Sequence, residues 1–395
     1  MATLLLVIIY LAFISLGLPD SLLGSAWPVM QSDFGKSLDT AGYLYMIISA
    51  GTIVSSLVSG RLNDLLGTGK VMVISVLLTA GALLGFSFAP SFIWLVICAI
   101  PLGLGGGAVD AALNNYVALH YKASHMSWLH CFWGVGASIG PIIMSFYISH
   151  QGSWEKGYFT ISMLQIGLTI ILFLSLPLWA KVAKMTGNTT AVSETATSIE
   201  ENPKAAKPLK IKGVKFALLT FLFYCGVEAT MGLWGSSYLV NSKGMSAAVA
   251  AQWVSLFYAG ITIGRLVTGF ITMKVNNTLL IRAGQFIIIL GGILLVLPLP
   301  NIVSLLGFIA VGLGCAPIYP CMIHETPSRF GRANSQAIIG YQMAVAYVGS
   351  TFLPPLFGLI ANYISIHLFS FVILVLALCM LFAAEKVNGV MKLRA

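Results

Sequence analysis

Three acidic residues stand in the middle of long apolar runs: Asp20, Asp110 and Glu228. A charge at the centre of a bilayer costs about 2.5–3.5 kcal/mol on insertion scales, so such a group faces water, finds a partner or stays protonated. The sequence shows no lysine or arginine at comparable depth, which predicts protonation or hydration rather than an ion pair. A carboxyl group that is alternately buried and open to water can bind a proton on one side and release it on the other. We therefore interpret the three acids as candidate proton-coupling groups, with hydrogen-bonded packing residues as the alternative.

Asn114 follows Asp110 by four residues, so on a helix the two side chains are neighbours on one face. A carboxylate and an amide together offer the acceptors and donors that sugar hydroxyl groups need. His130 is a further candidate, either in the same site, as a substrate contact or a proton relay, or as a hydrogen-bonded packing residue.

These residues belong to a chain that is mostly apolar. Of its 395 residues, 58% are hydrophobic and 8% are charged, and the mean hydropathy is +0.93; soluble domains carry about 25% charged residues. About 20 apolar residues cross about 30 Å of hydrocarbon. Runs of that kind cover residues 4–30, 40–60, 71–89, 93–118, 127–148, 158–180, 214–240, 248–272, 278–297, 301–323, 333–361 and 365–384. The sequence therefore predicts an all-α polytopic membrane protein with twelve transmembrane helices.

The basic residues support an even number of spans. With both termini inside, the outward loops hold only Lys36, Lys156 and Lys243, which leaves 18 of the 21 basic residues on the inner side, as the positive-inside rule favours. The net charge of +9 thus reports topology, and the absence of a basic stripe with interleaved aromatics predicts no nucleic-acid partner. We expect a multi-pass protein in the lipid bilayer of the cell inner (cytoplasmic) membrane, with both termini in the cytoplasm.

Cysteine usage and catalytic motifs exclude several classes of protein. The six cysteines lie within predicted spans without metal-ligand spacing, which predicts small packing residues, no disulfide and no metal. The sequence has no Walker-type phosphate loop, GxSxG elbow or HExxH pair. We therefore expect no enzyme and no cofactor, and any transport would draw on an ion gradient or on the gradient of the substrate.

A polar segment divides the chain into two similar parts. Residues 184–213 are rich in Thr, Ser, Ala and Lys and predict a flexible cytoplasmic linker. The parts on either side match at a constant offset of 209, at residues 57–60 (LVSG) with 266–269 (LVTG) and at residues 103–105 with 312–314 (both GLG). This repeat predicts two pseudo-symmetric six-helix bundles, residues 1–183 and 214–395. Two such bundles can rock about a site between them and expose it to either side in turn.

The loop SGRLNDLLGTGKV, residues 59–71, resembles the signature loop of the major facilitator superfamily, in which a glycine and an acid precede a glycine and a base. The matching positions are Gly60, Asp64, Gly67 and Lys70, with Arg61 as an additional charge. The resemblance implies the major facilitator fold, with this loop helping to close a cytoplasmic gate and helices 1, 4, 7 and 10 lining a central cavity. At the repeat offset Glu228 maps beside Asp20, and Asp110 maps onto Tyr319, so the resemblance implies that all four surround one aqueous site.

The segment GLGGGAVDAALNNYV, residues 103–117, resembles the fourth helix of the fucose:proton symporter family, where a glycine-rich stretch leads to a carboxylate and, four residues later, an asparagine. That family also carries an aspartate in helix 1, where Asp20 stands, and its two carboxylates are associated with proton coupling and sugar binding. Residues 129–141 (LHCFWGVGASIGP) and 236–240 (SSYLV) resemble its helices 5 and 7. Asp110 departs from the family pattern because the family has a longer glutamate in helix 4.

Aromatic residues near these segments are candidate cavity walls, because a ring can stack on the apolar face of a pyranose. The candidates are Trp27, Trp133, Trp234, Tyr238 and Tyr319. The alternative is anchoring at the membrane interface, and it is strongest for Trp27 and Tyr238 near the outer ends of their spans.

Together these features predict a monomeric secondary active transporter that moves a small polar solute, a sugar in the first hypothesis, by alternating access coupled to protons. The alternative function is a proton-driven exporter of amphipathic drugs, and a third is a sensor that binds without transport. Sodium also stays open as the coupling ion, because carboxylates and carbonyl oxygens bind it.

Overall fold

The computed structural model describes residues 2–120, 123–179, 208–272 and 274–392. Over these residues the chain forms long α-helices, with short 3-10 turns at Pro208–Lys210 and Ile366–Leu368. In chain order the helices are α1 (Ala2–Asp20), α2 (Leu22–Asp33), α3 (Thr40–Leu66), α4 (Thr68–Ser87), α5 (Phe92–His120), α6 (Ala123–Gln151), α7 (Trp154–Leu174), α8 (Val214–Lys243), α9 (Ala247–Ile271), α10 (Asn277–Val296), α11 (Asn301–Phe330), α12 (Arg332–Tyr363) and α13 (Phe369–Lys392).

Among the residues that the structure describes, twelve segments are long and apolar enough to cross a bilayer, which confirms the predicted count. Helices α1 and α2 together form the first span, Leu4–Asp33, and each of α3 to α13 supplies one more. Several helices extend past the predicted apolar runs, as α8 does beyond residue 240, because backbone hydrogen bonding continues where the side chains turn polar. Of the predicted linker, residues 184–207 lie outside the described residues.

The internal repeat is visible in the packing of glycines. An added Cβ at Gly103 would overlap the carbonyl oxygen of Ile48, and an added Cβ at Gly312 would overlap that of Phe257. Both members of the second pair lie 209 positions after those of the first, which is the offset found in the sequence. Gly105 and Gly314 repeat the pattern. Added Cβ atoms there would lie 2.6 Å from the carbonyl oxygens of Ser75 and Gly284, which are again 209 positions apart. The two halves thus share close helix crossings as well as sequence.

The first span is interrupted beside its acidic residue. Pro19 has no N–H group, so the carbonyl oxygen of Ser15 loses its helical partner. The amide Nε2 of Gln165 in α7 donates to that oxygen at 2.8 Å, and α1 ends at Asp20, one residue before the turn at Ser21. The interruption of the helix therefore leaves no backbone carbonyl unpaired at Ser15, and it places Asp20 at the end of α1.

The two halves meet closely at the end of the bundle away from the chain termini. An added Cβ at Gly24 in α2 would overlap the carbonyl oxygen of Gly232 in α8 and lie 2.8 Å from the Cα of Leu233. Gly24 and Leu233 are themselves 209 positions apart, so this contact lies on the pseudo-twofold axis. An added Cβ at Gly42 in α3 would lie 3.0 Å from the Cα of Pro355 in α12. Small residues thus let the helices seal this end.

Gly103→Ala should destabilise the protein, because the new methyl group would push α3 and α5 apart and overpacking costs about 1–3 kcal/mol. Gly312→Ala should act in the same way on α9 and α11. Gly81→Ala is the matched control, since nothing lies within 4 Å of its added Cβ and alanine favours a helix by about 1 kcal/mol over glycine. Thermal unfolding of the purified proteins in detergent would test this, and equal melting temperatures for Gly103→Ala and Gly81→Ala would contradict it.

Candidate functional site

The three predicted acids lie close together between the two halves. Asp20 ends α1, Asp110 lies in α5 and Glu228 lies in α8. Asp110 and Glu228 are both close enough to Asp20 to interact with it electrostatically. Asp20 is nevertheless exposed, and the other two are half-buried. Exposure in the middle of a span, with other polar groups on several sides, indicates that water enters the space between the halves.

Asp20 is held by the indole of Trp133. The Nε1–H group of Trp133 donates to Oδ2 of Asp20 at 2.7 Å, a short bond of the charge-assisted kind when the acid is ionised. Gly17, one turn before Asp20, makes this contact possible, because an added Cβ there would overlap the carbonyl oxygen of Trp133. A single absent side chain thus brings α1 and α6 close enough for the indole to reach the acid.

Arg265 overturns one prediction about these acids. Its Nη2 lies 3.7 Å from Oε1 of Glu228, and only 14% and 18% of the two side chains are exposed. The expectation that no buried base accompanies the acids is therefore wrong, and Glu228 has an ionic partner. Arg265 lies near the inner end of α9 by residue count, but helical side chains lean toward the helix N-terminus. That direction carries the guanidinium toward the middle of the span.

Arg265 also contacts both halves of the protein. Its guanidinium carbon lies 5.4 Å from the ring centroid of Trp133 in α6, within the range of a cation–π interaction. Its Nη2 lies 3.5 Å from the hydroxyl of Tyr224 in α8. The ring of Tyr258, on α9 as well, meets the Trp133 ring edge-on at 6.2 Å. An aromatic and ionic chain therefore runs from Asp20 in one half to Glu228 in the other.

Asp110 and Asn114 are neighbours, as their spacing predicts. The amide Nδ2 of Asn114 donates to Oδ1 of Asp110 at 2.8 Å and to its backbone oxygen at 2.9 Å. Both N–H bonds of the Asn114 amide thus donate within α5, while no described residue donates to the amide oxygen. Asp110 is close enough to Tyr319 in α11 and Tyr347 in α12 to interact electrostatically with both. This part of the cavity therefore offers oxygen acceptors and phenolic hydroxyls.

His130 and Tyr319 also lie near this chain of contacts. His130 is half-buried, meets the ring of Phe13 edge-on at 6.0 Å and is within electrostatic range of Arg265. The hydroxyl of Tyr319 donates to the sulfur of Met343 at 3.0 Å. Both residues stay candidates for contact with a solute.

Three of the aromatic candidates lie elsewhere. Trp27, Trp234 and Tyr238 are 0%, 0% and 2% exposed. Their polar atoms donate to backbone carbonyl oxygens of residues 38, 354 and 295 at 3.1, 2.7 and 3.0 Å. Large rings with a satisfied polar atom are favourable in a packed core. In this structure they pack inside the protein, and we correct both the cavity-wall and the membrane-belt interpretations of them.

The structure adds residues that the sequence reasoning missed: Arg265, Tyr45, Tyr224, Tyr258 and Tyr347. Tyr45 in α3 lies near both Asp20 and Glu228. The sequence does contain a pattern that indicates two of these residues, Tyr258 and Arg265. Tyr258, Thr262 and Arg265 follow one another at i, i+4 and i+7, so they form a polar stripe on one face of an otherwise apolar helix.

The predicted gate residues lie at the face that carries the termini. Gly67 has a φ of +79° and separates α3 from α4, a conformation that favours glycine. Gly60, Arg61, Asp64 and Lys70 are exposed. Within the described ranges, none of the three charged residues forms an ion pair.

Two similar six-helix halves around a central polar cavity define a membrane transporter. The chain belongs to the Major Facilitator Superfamily, whose sequence profile matches residues 9–338. It is 24% identical over 384 residues to "Bypass of stop codon protein 6" of Saccharomyces cerevisiae, covering 90% of this chain and 76% of that protein. It is 22% identical to the "Glucose/mannose transporter GlcP" of Bacillus subtilis, covering 79% and 77%.

The fold is similar to that of solved transporters. The inward-open xylose transporter XylE from E. coli superposes with a TM-score of 0.77 at 13% identity, covering 99% of this chain and 100% of that one. At this identity the likeness shows the fold alone.

Arg265→Gln should lower the stability by about 3 kcal/mol, because it leaves Glu228 as an unpaired, mostly buried charge. Adding Glu228→Gln should restore most of the loss. Arg282→Gln is the control, since the pair of Arg282 with Glu385 is 37% and 40% exposed and such pairs contribute about 0–1 kcal/mol. Melting temperatures of these three variants, of Glu228→Gln alone and of the wild type would measure this. Additive losses in the double variant would contradict a direct pairing.

Proposed function

We propose that this transporter moves a small polar solute, a sugar, by alternating access and couples that movement to protons through Asp20 and Asp110. The observation that carries the proposal is that these two acids lie in the cavity without a cationic partner among the described residues. Glu228 differs because Arg265 neutralises it. Glu228 therefore enters the proposal as the partner of Arg265 rather than as a proton carrier.

Desolvation gives these acids a role in coupling. Closing the cavity around ionised Asp20 and Asp110 would remove their water without supplying a counter-charge, at a cost of several kcal/mol per ion in effective terms. Closure becomes favourable once both are neutral. A protonated, loaded carrier can then change sides, whereas an ionised, loaded carrier stays open.

The contacts of Asp20 favour a proton over sodium as the coupling ion. Sodium is bound by oxygen ligands, whereas the hydrogen bond of the Asp20 side chain is to an indole N–H group. Accumulation that follows a sodium gradient at constant pH would instead identify sodium as the coupling ion.

The polar groups of the cavity support a sugar as the solute. Asp110 and Asn114 present oxygen acceptors, and the half-buried Tyr45 and Tyr319 add hydroxyls and ring faces, a combination suited to a hydroxylated ring. Among similar proteins are a glucose/mannose transporter and a D-xylose–proton symporter. The segments that resemble the fucose:proton symporter family support the same class. An exporter of amphipathic drugs would favour a more apolar cavity.

The charge distribution supports an orientation for the cycle. Apart from Arg265, which lies within its span, only Lys36, Lys156 and Lys243 fall on the side away from the termini, so the side of the termini is proposed to be the cytoplasm, in the cell inner membrane. The cavity then opens inward, and the loop with Gly60, Arg61, Asp64, Gly67 and Lys70 is proposed to close it in the outward-facing state. Residues 1–183 and 214–395 act as the two rocking bundles, and one chain supplies a complete site, so the proposed unit is a monomer.

Asp20→Asn and Asp110→Asn should each abolish sugar accumulation driven by a pH gradient, because a neutral amide cannot exchange a proton. Counterflow of the same sugar at equal pH should persist, since exchange needs no net proton movement. Both would be measured in proteoliposomes with a radiolabelled sugar panel and an internal pH dye. Glu228→Gln tests the division between the acids and should leave proton uptake per sugar unchanged in the fraction that folds.

Unchanged proton uptake in both aspartate variants would overturn the coupling proposal. Accumulation that follows a sodium gradient at constant pH would replace the proton by sodium. Failure of every sugar to exchange, together with export of amphipathic cations, would establish the drug exporter instead. Saturable binding without counterflow would establish the sensor.

A further inference from the structure

Trp133 is the residue that joins the acid Asp20 to the opposite half of the protein. Its Nε1–H group donates to Oδ2 of Asp20 at 2.7 Å. One side of its ring system lies against the guanidinium of Arg265, at 5.4 Å from the ring centroid, and its ring is nearly perpendicular to that of Tyr258, with the centroids 6.2 Å apart. Arg265 and Tyr258 both belong to α9 in the C-terminal half. One side chain therefore contacts the proposed proton site and the moving partner at once.

The backbone around Trp133 is held on both sides. An added Cβ at Gly17 in α1 would overlap the carbonyl oxygen of Trp133 itself. An added Cβ at the next residue, Gly134, would overlap Oγ1 of Thr262 in α9. Helix α6 is thus closely packed between its own half and the other half at this level. A change at the indole cannot be absorbed by a shift of the backbone, so it acts on the side chains of α9.

We propose that Trp133 transmits the protonation of Asp20 to the interface between the halves. When Asp20 is ionised, it fixes the indole through a charge-assisted hydrogen bond and the indole supports Arg265. When a proton from the cavity water binds Asp20, the acceptor becomes neutral and the bond weakens to that of an uncharged pair. The indole can then turn, and the contact of α6 with Arg265 and Tyr258 loosens. This inference rests on the proposed function for its direction, because it assumes that Asp20 titrates in the cycle.

The other ionisable groups near this link do not replace it. Asp20 also faces Asp110 of α5, Glu228 of α8, Tyr45 of α3 and Tyr258 of α9. Arg265 also faces Glu228, Tyr224, Cys225, His130 and Cys131. None of them donates the hydrogen bond that Trp133 makes. A change that removes only this donor therefore leaves the surrounding charges unaltered.

Trp133→Phe removes the N–H donor and keeps an aromatic ring against Arg265, so it should separate coupling from transport. Accumulation driven by a pH gradient should fall by about tenfold, the weight of one hydrogen bond to a charged group, and by clearly more than counterflow at equal pH. The pH of half-maximal exchange should also move, by about one unit. Trp128→Phe is the matched control, because Trp128 is on the same helix and is 50% exposed. It should behave as the wild type.

Tryptophan fluorescence tests the link without a substrate. The emission of the wild type and of Trp128→Phe should change with pH through the titration of Asp20, and this change should be missing in Trp133→Phe and in Asp20→Asn. A pH response that survives in Trp133→Phe would overturn the inference, as would a gradient-driven accumulation equal to that of the wild type. Loss of counterflow together with accumulation would also overturn it, since the residue would then be structural. If no sugar is transported by the wild type, the proposed function fails while the fluorescence still decides the link.

Discussion

An ionisable group inside a membrane protein has to be paired, hydrated or neutral, and this constraint organises the centre of the molecule. Arg265 and Glu228 meet it by pairing within the C-terminal half, at 3.7 Å. Asp20 meets it through an indole donor at 2.7 Å and through exposure to the cavity. Asp110 meets it with the amide of Asn114. Unlike Glu228, Asp20 and Asp110 have no ionic partner among the described residues. Their charges therefore depend on hydration, and any closure of the cavity affects these two acids most.

The helices are arranged so that these contacts can form. Gly17 lets α1 approach α6 until Trp133 reaches Asp20, and Pro19 ends α1 at the acid while Gln165 takes the freed carbonyl. The same device, a glycine against a carbonyl, recurs at equivalent crossings in the two halves. Each half is therefore tightly packed within itself, and the space that can change lies between the halves. Rigid bundles around a hydrated site are what rocking motion requires.

The halves are linked by contacts of two kinds. At the end away from the termini, small residues bring backbones together, as Gly24 does against Gly232, and this contact carries no charge. Deeper in the protein, Trp133 lies between Asp20 and Arg265, and its contacts depend on charge. The first kind supports closure whatever the protonation state. The second kind can respond to a proton, which is why the proposed coupling is placed there.

The sequence by itself determined the number of spans, the repeat at an offset of 209 and the pairing of Asp110 with Asn114, because hydrophobic length and helical spacing are local properties. It also identified the three acids, since a buried charge is conspicuous in an apolar run. Only the tertiary structure decided their partners. Arg265 was hidden because side-chain direction, rather than residue position, sets the depth of its charge. Trp27 and Trp133 are the same residue type in similar apolar sequence. The indole of Trp27 nevertheless donates to a backbone carbonyl in the core, whereas the indole of Trp133 donates to the carboxylate of Asp20. That difference depends on which helices pack against each other, and local sequence patterns do not specify this packing.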